Sequence, residues 1–275
     1  MLETHTMNDQ ATRLRQMTAE RHLPPPTAYP YVITITSGKG GVGKSTIALN
    51  LSLTLCALGK TVLLVDTDTN LGNLDVLLGI APKFRLGHVV RGERDIEDVL
   101  VSPLPGLRLL PGSSGDVEYP PLSAEAQSSL MRDLKSLEDR SDYIIIDTAA
   151  GLTPEVIGYA VRADEIVVVT TPEPTAVLDA YAMIKVIHRT KPDISIKVVM
   201  NAVRVPAEAD DAAAKLAVAV DRFLKRSFTY LGTIPYDQHV VTSISRQRAV
   251  VQEFPVSSAS LSMKAMAQRF LQQSE

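Results

Sequence analysis

The chain has 275 residues, of which 45% are hydrophobic, and its formal net charge is −3 at pH 7. This length and composition suffice for one large domain with a complete core. The slightly negative charge excludes a strong overall attraction to nucleic acid or anionic lipid and leaves only local patches open. The single cysteine, Cys56, excludes a disulfide within the chain, and its place in an apolar helical pattern predicts a small buried residue.

Export and membrane insertion are not predicted by the sequence. The N-terminal region lacks the apolar stretch of a signal peptide, and no run of about 18 apolar residues could form a spanning helix. The histidines are scattered without the spacing of metal ligands: His5, His22, His88, His188 and His239. We therefore expect a cytoplasmic protein.

The first 30 residues differ from the rest of the chain. A segment from Asn8 to Met17 could form a short helix with apolar residues on one side and arginines exposed. A stiff proline-rich linker that contains Pro24, Pro25 and Pro26 follows it. We interpret residues 1–30 as a partner-binding segment with its linker, and residues 31–275 as one domain. A plain disordered tail is the alternative for the segment.

A glycine-rich loop, SGKGGVGKST, separates a β-type apolar run at residues 31–36 from an apolar pattern with helical spacing. The pattern GxxxxGK[ST] is that of a phosphate-binding loop. Its glycines let backbone N–H groups approach phosphate oxygens, and the following helix adds the positive end of its dipole. Lys44 should reach the β- and γ-phosphates, and the Ser45 hydroxyl should bind Mg²⁺. The residues expected to contact the nucleotide here are Gly38, Lys39, Gly40, Gly41, Val42, Gly43, Lys44, Ser45 and Thr46.

Two further predicted strands end in aspartates. Residues 61–66 end at Asp66, which precedes Asp68 by two positions, and residues 143–147 end at Asp147. The carboxyl ends of parallel strands form the edge at which open α/β sheets bind ligands. One carboxylate can therefore join a Mg²⁺ shell, and another can position an attacking water.

The other elements predict a doubly wound α/β fold, an open and mostly parallel sheet of about seven or eight strands with helices on both faces. Further strands are expected near residues 107–111, 165–171, 194–200 and 230–237, and longer helices at 123–137, 175–188, 207–225 and 257–273. Residues 80–120 predict short helices near 87–90 and 95–101, the strand near 107–111 and a surface without chemistry. The last helix has few cations, which favours packing on the domain over insertion at a membrane surface.

A second lysine, Lys39, follows the first glycine of the loop and gives the pattern KGGxGK[ST]. This pattern resembles the deviant Walker A motif of the MinD/ParA-type ATPases. The resemblance implies a homodimer that forms with ATP, in which Lys39 touches the partner's nucleotide. A cation from each subunit would make dimerisation depend on ATP. It also implies slow ATP hydrolysis, with Lys39, Lys44 and Asp68 as the catalytic residues.

The stretch from Asp66 to Asp75 resembles the switch I signature of the same family. By this match, Asp66 belongs to the Mg²⁺ side of the site and Asp68 orients the water. Asp147 resembles the Walker B aspartate, and Gly151 resembles the switch II glycine whose N–H can meet the γ-phosphate. The implied cofactors are ATP and Mg²⁺. The implied metal-binding residues are Ser45, Asp66 and Asp147.

Two places resemble the family's contacts with adenine. Asn201 follows the strand at residues 194–200, and its carboxamide can read the adenine edge. The turn at Pro235 and Asp237 resembles a second adenine-contacting loop, in which Pro235 offers its carbonyl. From the residues alone, this turn also fits an ordinary strand end.

Within the family, the N-terminus favours the FlhG/FleN regulators of flagellar number and placement. Asp9, Gln10 and Ala11, followed by Leu14 and Arg15, match the DQAxxLR element that docks on the GTPase FlhF and stimulates GTP hydrolysis. The stretches DTAAG, PEPT, DAYA and QRAV favour the same branch. The implied partners are FlhF, flagellar C-ring proteins and a flagellar master transcription activator. The negative net charge and the absence of a clear basic cluster argue against direct nucleic-acid binding. The implied location is the cytoplasm and the inner face of the membrane at the flagellated pole.

Two departures from the family pattern bear on function. MinD carries a glutamate two residues after the switch II glycine that touches the partner's ribose, whereas this chain has Thr153. No separate basic amphipathic tail follows Gln273, so membrane contact is implied by the resemblance alone. The alternatives are a ParA-type partition ATPase, a MinD-type division-site regulator, and a nucleotide-gated antiactivator that does not hydrolyse ATP.

Overall fold

The computed structural model describes residues 29–68, 72–113, 122–137 and 141–272. The N-terminal element from Asp9 to Arg15 and part of the switch I stretch lie outside these residues.

A single sheet runs through the described part of the chain and contains eight strands in the order β3-β4-β2-β5-β1-β6-β7-β8. The strands are β1 (Tyr31–Thr36), β2 (Val62–Asp66), β3 (Val101–Leu104), β4 (Leu107–Leu110), β5 (Tyr143–Asp147), β6 (Glu165–Thr170), β7 (Ser195–Val203) and β8 (Thr229–Pro235). Neighbouring strands pair in parallel, except that β3 pairs antiparallel with β4. The predicted doubly wound α/β fold is confirmed.

Helices cover both faces of the sheet. They are α1 (Lys44–Ala57), α2 (Leu74–Leu78), α3 (Leu86–Val90), α4 (Ile96–Val99), α5 (Ala124–Ser136), α6 (Pro154–Arg162), α7 (Pro174–Thr190), α8 (Pro206–Leu224), α9 (Gln238–Ser245), α10 (Val250–Glu253) and α11 (Ser258–Gln272). One apolar core lies beneath α5, α6, α7 and α8, and the other lies beneath α1 and α11. Val32 belongs to the first core and Ile33 to the second, because successive side chains of a strand point to opposite faces.

Local sequence explains where the long helices begin. The Ser123 hydroxyl accepts a hydrogen bond from the backbone N–H of Ala126 at 3.2 Å and caps α5. Prolines occupy the first positions of α6, α7 and α8, where their missing N–H costs no helical hydrogen bond. The apolar stripe of α11 is buried in the core, including Met263 and Phe270, so its predicted packing on the domain is confirmed.

Some short elements differ from prediction. Val101 begins the edge strand β3, although the sequence predicts the end of a helix there. Pro103 is tolerated in β3 because an edge strand can lack one backbone donor of the sheet.

Cys56, expected to be buried, is half-buried, and burial raises the pKa of its thiol to about 11. Among the described helices, none is long and apolar enough to cross a bilayer.

Candidate active site

The glycine-rich loop joins β1 to α1 at the carboxyl edge of the sheet. Gly41 and Gly43 have φ values of 77° and 94°, in the left-handed region that glycine adopts without strain. Gly38 packs directly on α7, since a Cβ atom there would lie 2.3 Å from the backbone oxygen of Asp179. The path of the loop is therefore fixed both by its own glycines and by a helix distant in sequence.

The two lysines of the loop have different surroundings. Lys44 is buried at the start of α1. Lys39 lies at the surface, where its Nζ is 2.7 Å from Oε2 of Glu173 and donates to Oγ1 of Thr175 at 3.1 Å. Thr175 lies in the first turn of α7, and Glu173 immediately precedes this helix. An exposed ion pair of this kind is worth at most about 1 kcal/mol, so Lys39 can exchange it for another partner.

Asp66 and Asp147 are direct neighbours on β2 and β5, and both are buried. The Asp66 carboxylate accepts backbone N–H groups from Asp68 and Asn73 at 3.0 Å and from Leu74 at 3.3 Å. Burial raises the pKa of both carboxyl groups, and the proximity of Asp147 raises that of Asp66 further. The two buried carboxyl groups therefore lie side by side, and a bound cation would stabilise their charged forms.

The donor set at this edge fits Mg²⁺. Oδ1 of Asp147 is buried and has no hydrogen-bond partner among the described residues. The Ser45 side chain hydrogen-bonds to the same carboxylate and, with the charge of Lys44, opposes the effect of burial on its pKa. Proteins usually hold Mg²⁺ with one or two carboxylates together with phosphate oxygens and waters. The residues brought together here supply the protein's share of such a shell.

Gly112 forms the wall beside Asp66, a contact that the sequence does not predict. A Cβ atom at Gly112 would lie 2.6 Å from Cγ of Asp66. The carbonyl of Gly112 accepts a hydrogen bond from Arg85 at 3.1 Å, and Arg85 also forms a 2.7 Å ion pair with Asp75. Residues 80–120, expected to be a surface without chemistry, thus pack against a carboxylate of the predicted site, and a chemical role for them stays untested. The available signal was a glycine just after a buried strand, but its target depends on β4 lying beside β2.

We expect Gly112→Ala to weaken the Mg²⁺ dependence of the predicted ATP hydrolysis, because the added methyl group displaces the Asp66 carboxylate. Overpacking of this kind costs about 1–3 kcal/mol in unfolding free energy. A Mg²⁺ titration of ATPase activity and a thermal melt measure the two effects. Gly92→Ala is the control. Its Cβ would enter open space, but its φ of 69° strains an alanine, so the variant should lose about 1 kcal/mol of stability and keep its full activity. Equal activity profiles would contradict the role of Gly112.

Asn201 is held against the loop. Its Nδ2 donates to the backbone oxygen of Val42 at 2.7 Å, and a Cβ atom at Gly43 would lie 2.2 Å from that nitrogen. This contact orients the carboxamide beside the residues expected to hold phosphate. Its contact with adenine stays a prediction.

The turn after β8 has a structural role. Asp237 accepts backbone N–H groups from His239 at 2.9 Å and Ala259 at 3.0 Å, and its carboxylate also bonds to the side chains of His239 and Ser258. Burial raises the pKa of Asp237, but these bonds outweigh it and hold the pKa well below the usual range. The carboxylate joins the starts of α9 and α11, and Pro235 ends β8 beside Val203. The adenine contacts of Pro235 and Asp237 stay predictions.

The predicted switch II region is tied to the loop in this structure. The N–H of Gly151 donates to the backbone oxygen of Ser37 at 2.9 Å, at a φ of 97°. Thr153 caps α6 by accepting the N–H of Val156 at 3.3 Å, which gives a structural reason for a threonine at this position. Contact between Gly151 and a γ-phosphate would require the N–H to leave Ser37.

The sheet, the loop and the paired aspartates define a P-loop nucleoside triphosphatase. Residues 31–200 match the family model described as an AAA domain. Antiactivator FleN of Pseudomonas aeruginosa is 40% identical over 86% of this chain and 85% of its own length. The flagellum site-determining protein YlxH of Helicobacter pylori is 32% identical over 90% of this chain and 84% of its own. Septum site-determining MinD from Pyrococcus horikoshii, complexed with Mg-ADP, has a TM-score of 0.71 at 26% identity and covers 88% of this chain and 96% of that one. The chain belongs to the MinD/ParA-type family of P-loop ATPases.

Proposed function

We propose that this protein is a nucleotide switch that dimerises with ATP and controls flagellar number and placement. The observation that carries the proposal is the contrast between a buried Lys44 beside Asp147 and a Lys39 whose side chain is 37% exposed and held by a weak ion pair. In this proposal Lys44 serves its own nucleotide, and Lys39 exchanges its ion pair with Glu173 for the partner's nucleotide. The similarity to FleN and YlxH supports the flagellar role. We propose action in the cytoplasm and at the inner face of the membrane at the flagellated pole.

The proposed chemistry is positioning and electrostatic stabilisation. The phosphates of ATP would lie along the loop from Gly38 to Thr46, with Lys44 balancing their charge. Asp68 would orient the attacking water. Mg²⁺, when bound, would offset the charge that develops on the phosphates. The residues that would hold it are Ser45, Asp66 and Asp147.

The dimer is tested through Lys39 and its present partner. Lys39→Ala should abolish the ATP-dependent dimer without affecting the fold, because the residue lies at the surface. Glu173→Gln should lower the ATP concentration needed for dimerisation by no more than about fivefold, since it removes a competitor of about 1 kcal/mol or less. Sedimentation velocity over an ATP titration measures both effects. A Lys39→Ala variant that dimerises like the wild type would refute the cross-dimer role.

The flagellar assignment is tested through the N-terminal segment, for which we propose FlhF as the partner. A peptide of residues 1–23 should raise GTP hydrolysis by the cognate FlhF, and the paired changes Gln10→Ala and Leu14→Ala should remove this effect. C-ring proteins and the flagellar master activator are the further proposed partners. If the peptide does nothing, the partition and division-site alternatives gain weight while the ATPase assignment stands.

A further inference from the structure

A long open groove separates α7 from α8. Its volume is about 1200 Å³, and it extends from Glu173 at the start of α7 to Phe223 near the end of α8. Pockets for single small molecules measure roughly 300–1,000 Å³ and enclose most of their ligand. The size and length of this groove therefore fit a segment of polypeptide better than a small ligand.

The groove has an apolar interior and an acidic rim. Leu178 and Phe223, on opposite sides, are 66% and 67% exposed. Such exposure of large apolar side chains along one groove is typical of an interaction site. The rim carries three carboxylates, Glu173, Glu208 and Asp211, against the cations Arg204 and Lys215. Glu173 already pairs with Lys39 and Asp211 with Lys215, so basic residues of a docked segment would compete with exposed and therefore weak ion pairs. The surface thus favours an amphipathic segment that carries basic residues.

We propose that the N-terminal segment, residues 8–17, docks in this groove of its own chain. At helical spacing, its apolar residues Ala11, Leu14 and Met17 share one side, while Arg13 and Arg15 stand away from it. The apolar side matches the interior of the groove, and the two arginines match its acidic rim. Docking would bury Leu178 and Phe223.

The connection is long enough for this docking. The described chain begins at Tyr29, just before β1, and β6, the strand that leads into α7, lies next to β1. The 11 residues from 18 to 28 span about 34 Å at the polyproline spacing of about 3.1 Å per residue. The 17-residue helix α7 is itself only about 25 Å long. The linker is therefore longer than the helix that forms one wall of the groove.

Docking within one chain has a regulatory consequence. A short tether gives the segment an effective concentration of about 1 mM, so a Kd of about 0.1 mM suffices to fill roughly nine-tenths of the grooves. A segment in the groove hides Leu14 from outside partners, and a partner that binds the segment uncovers the groove. The groove and the apolar side of the N-terminal segment are therefore both covered while the segment is docked, and both become accessible when it leaves.

The absence of tryptophan from the chain allows a direct test. Phe223→Trp places a single fluorophore in the groove. Iodide should quench it less in the full chain than in the same variant that lacks residues 1–22, and Leu14→Asp in the full chain should restore the quenching. Val218→Trp is the matched control: it lies on α8, is 64% exposed and is not part of the groove, so the truncation should not affect it.

The outcomes separate the possible occupants. A peptide of residues 1–22 should protect the tryptophan of the truncated Phe223→Trp variant from iodide quenching, with a Kd no weaker than roughly 0.1 mM. Protection in the full chain that is independent of protein concentration supports docking within one molecule. Protection that rises with protein concentration would place the segment in a second copy and overturn the proposal. Equal quenching of the full and truncated chains would overturn it outright.

Discussion

We expect the Asp68→Ala variant to lose ATP turnover by about 10²- to 10⁴-fold while binding MgATP nearly as well as the wild type. Asp68 is half-buried, and its backbone N–H is fixed on the Asp66 carboxylate at 3.0 Å. Asp66 thereby determines where Asp68 stands at the edge of the sheet. A carboxylate placed there can orient the attacking water without holding the phosphates, so its removal should affect the rate and spare the affinity. Phosphate release and nucleotide binding measure the two quantities.

Lys44→Ala provides the contrasting variant. Lys44 is buried at the start of α1, next to the loop expected to hold the phosphates and close enough to Asp147 to lower its pKa. Its removal should therefore weaken both nucleotide binding and turnover. If Asp68→Ala and Lys44→Ala lost affinity equally, Asp68 would belong to the binding site and not to the orientation of water. An Asp68→Ala variant with normal turnover would remove it from the chemistry altogether.

The sequence allowed prediction of those parts of the site that are encoded in short stretches. The loop from Gly38 to Thr46 carries its own conformational signal, because its glycines supply the left-handed backbone and its neighbours set the strand and the helix. Asp66 and Asp147 could be placed because strands buried on both faces of a parallel sheet read as continuous apolar runs, which makes their last residue recognisable. The structure brings these residues together at one edge.

Contacts between distant parts of the chain could not be predicted in this way. The place of Gly112 beside Asp66 depends on strand order, since β4 pairs with β2. The ion pair of Lys39 with Glu173 joins positions 134 residues apart. The local sequence at Asp237 predicts an adenine contact, but it does not reveal the four hydrogen bonds by which the carboxylate joins two helix starts. Local patterns identify chemical groups, whereas packing decides what those groups contact.

Gly38→Ala should destabilise the protein strongly, because the added methyl group would collide with the backbone of α7. The added Cβ would lie 2.3 Å from the backbone oxygen and 2.6 Å from the backbone carbon of Asp179. These atoms belong to α7, whose inner side, including Ala180 and Met183, is fully buried and cannot yield. The cost should reach about 3 kcal/mol, which lowers the melting temperature by roughly 6–12 °C. Nucleotide affinity should fall as well, because the phosphate-binding loop would be displaced from its position against α7.

Gly40→Ala adds the same methyl group two residues later and isolates the cause. Its Cβ would meet only the Ala150 Cβ at 3.9 Å, and its φ is outside the left-handed region. Without nucleotide, its unfolding free energy should stay within about 0.5 kcal/mol of the wild type. The melts are compared in the absence of ATP, since an alanine at position 40 also approaches the expected phosphate cradle. Similar melting temperatures for both variants would show that contact with α7 does not hold the loop, and the orientation of Lys39 would then need another cause.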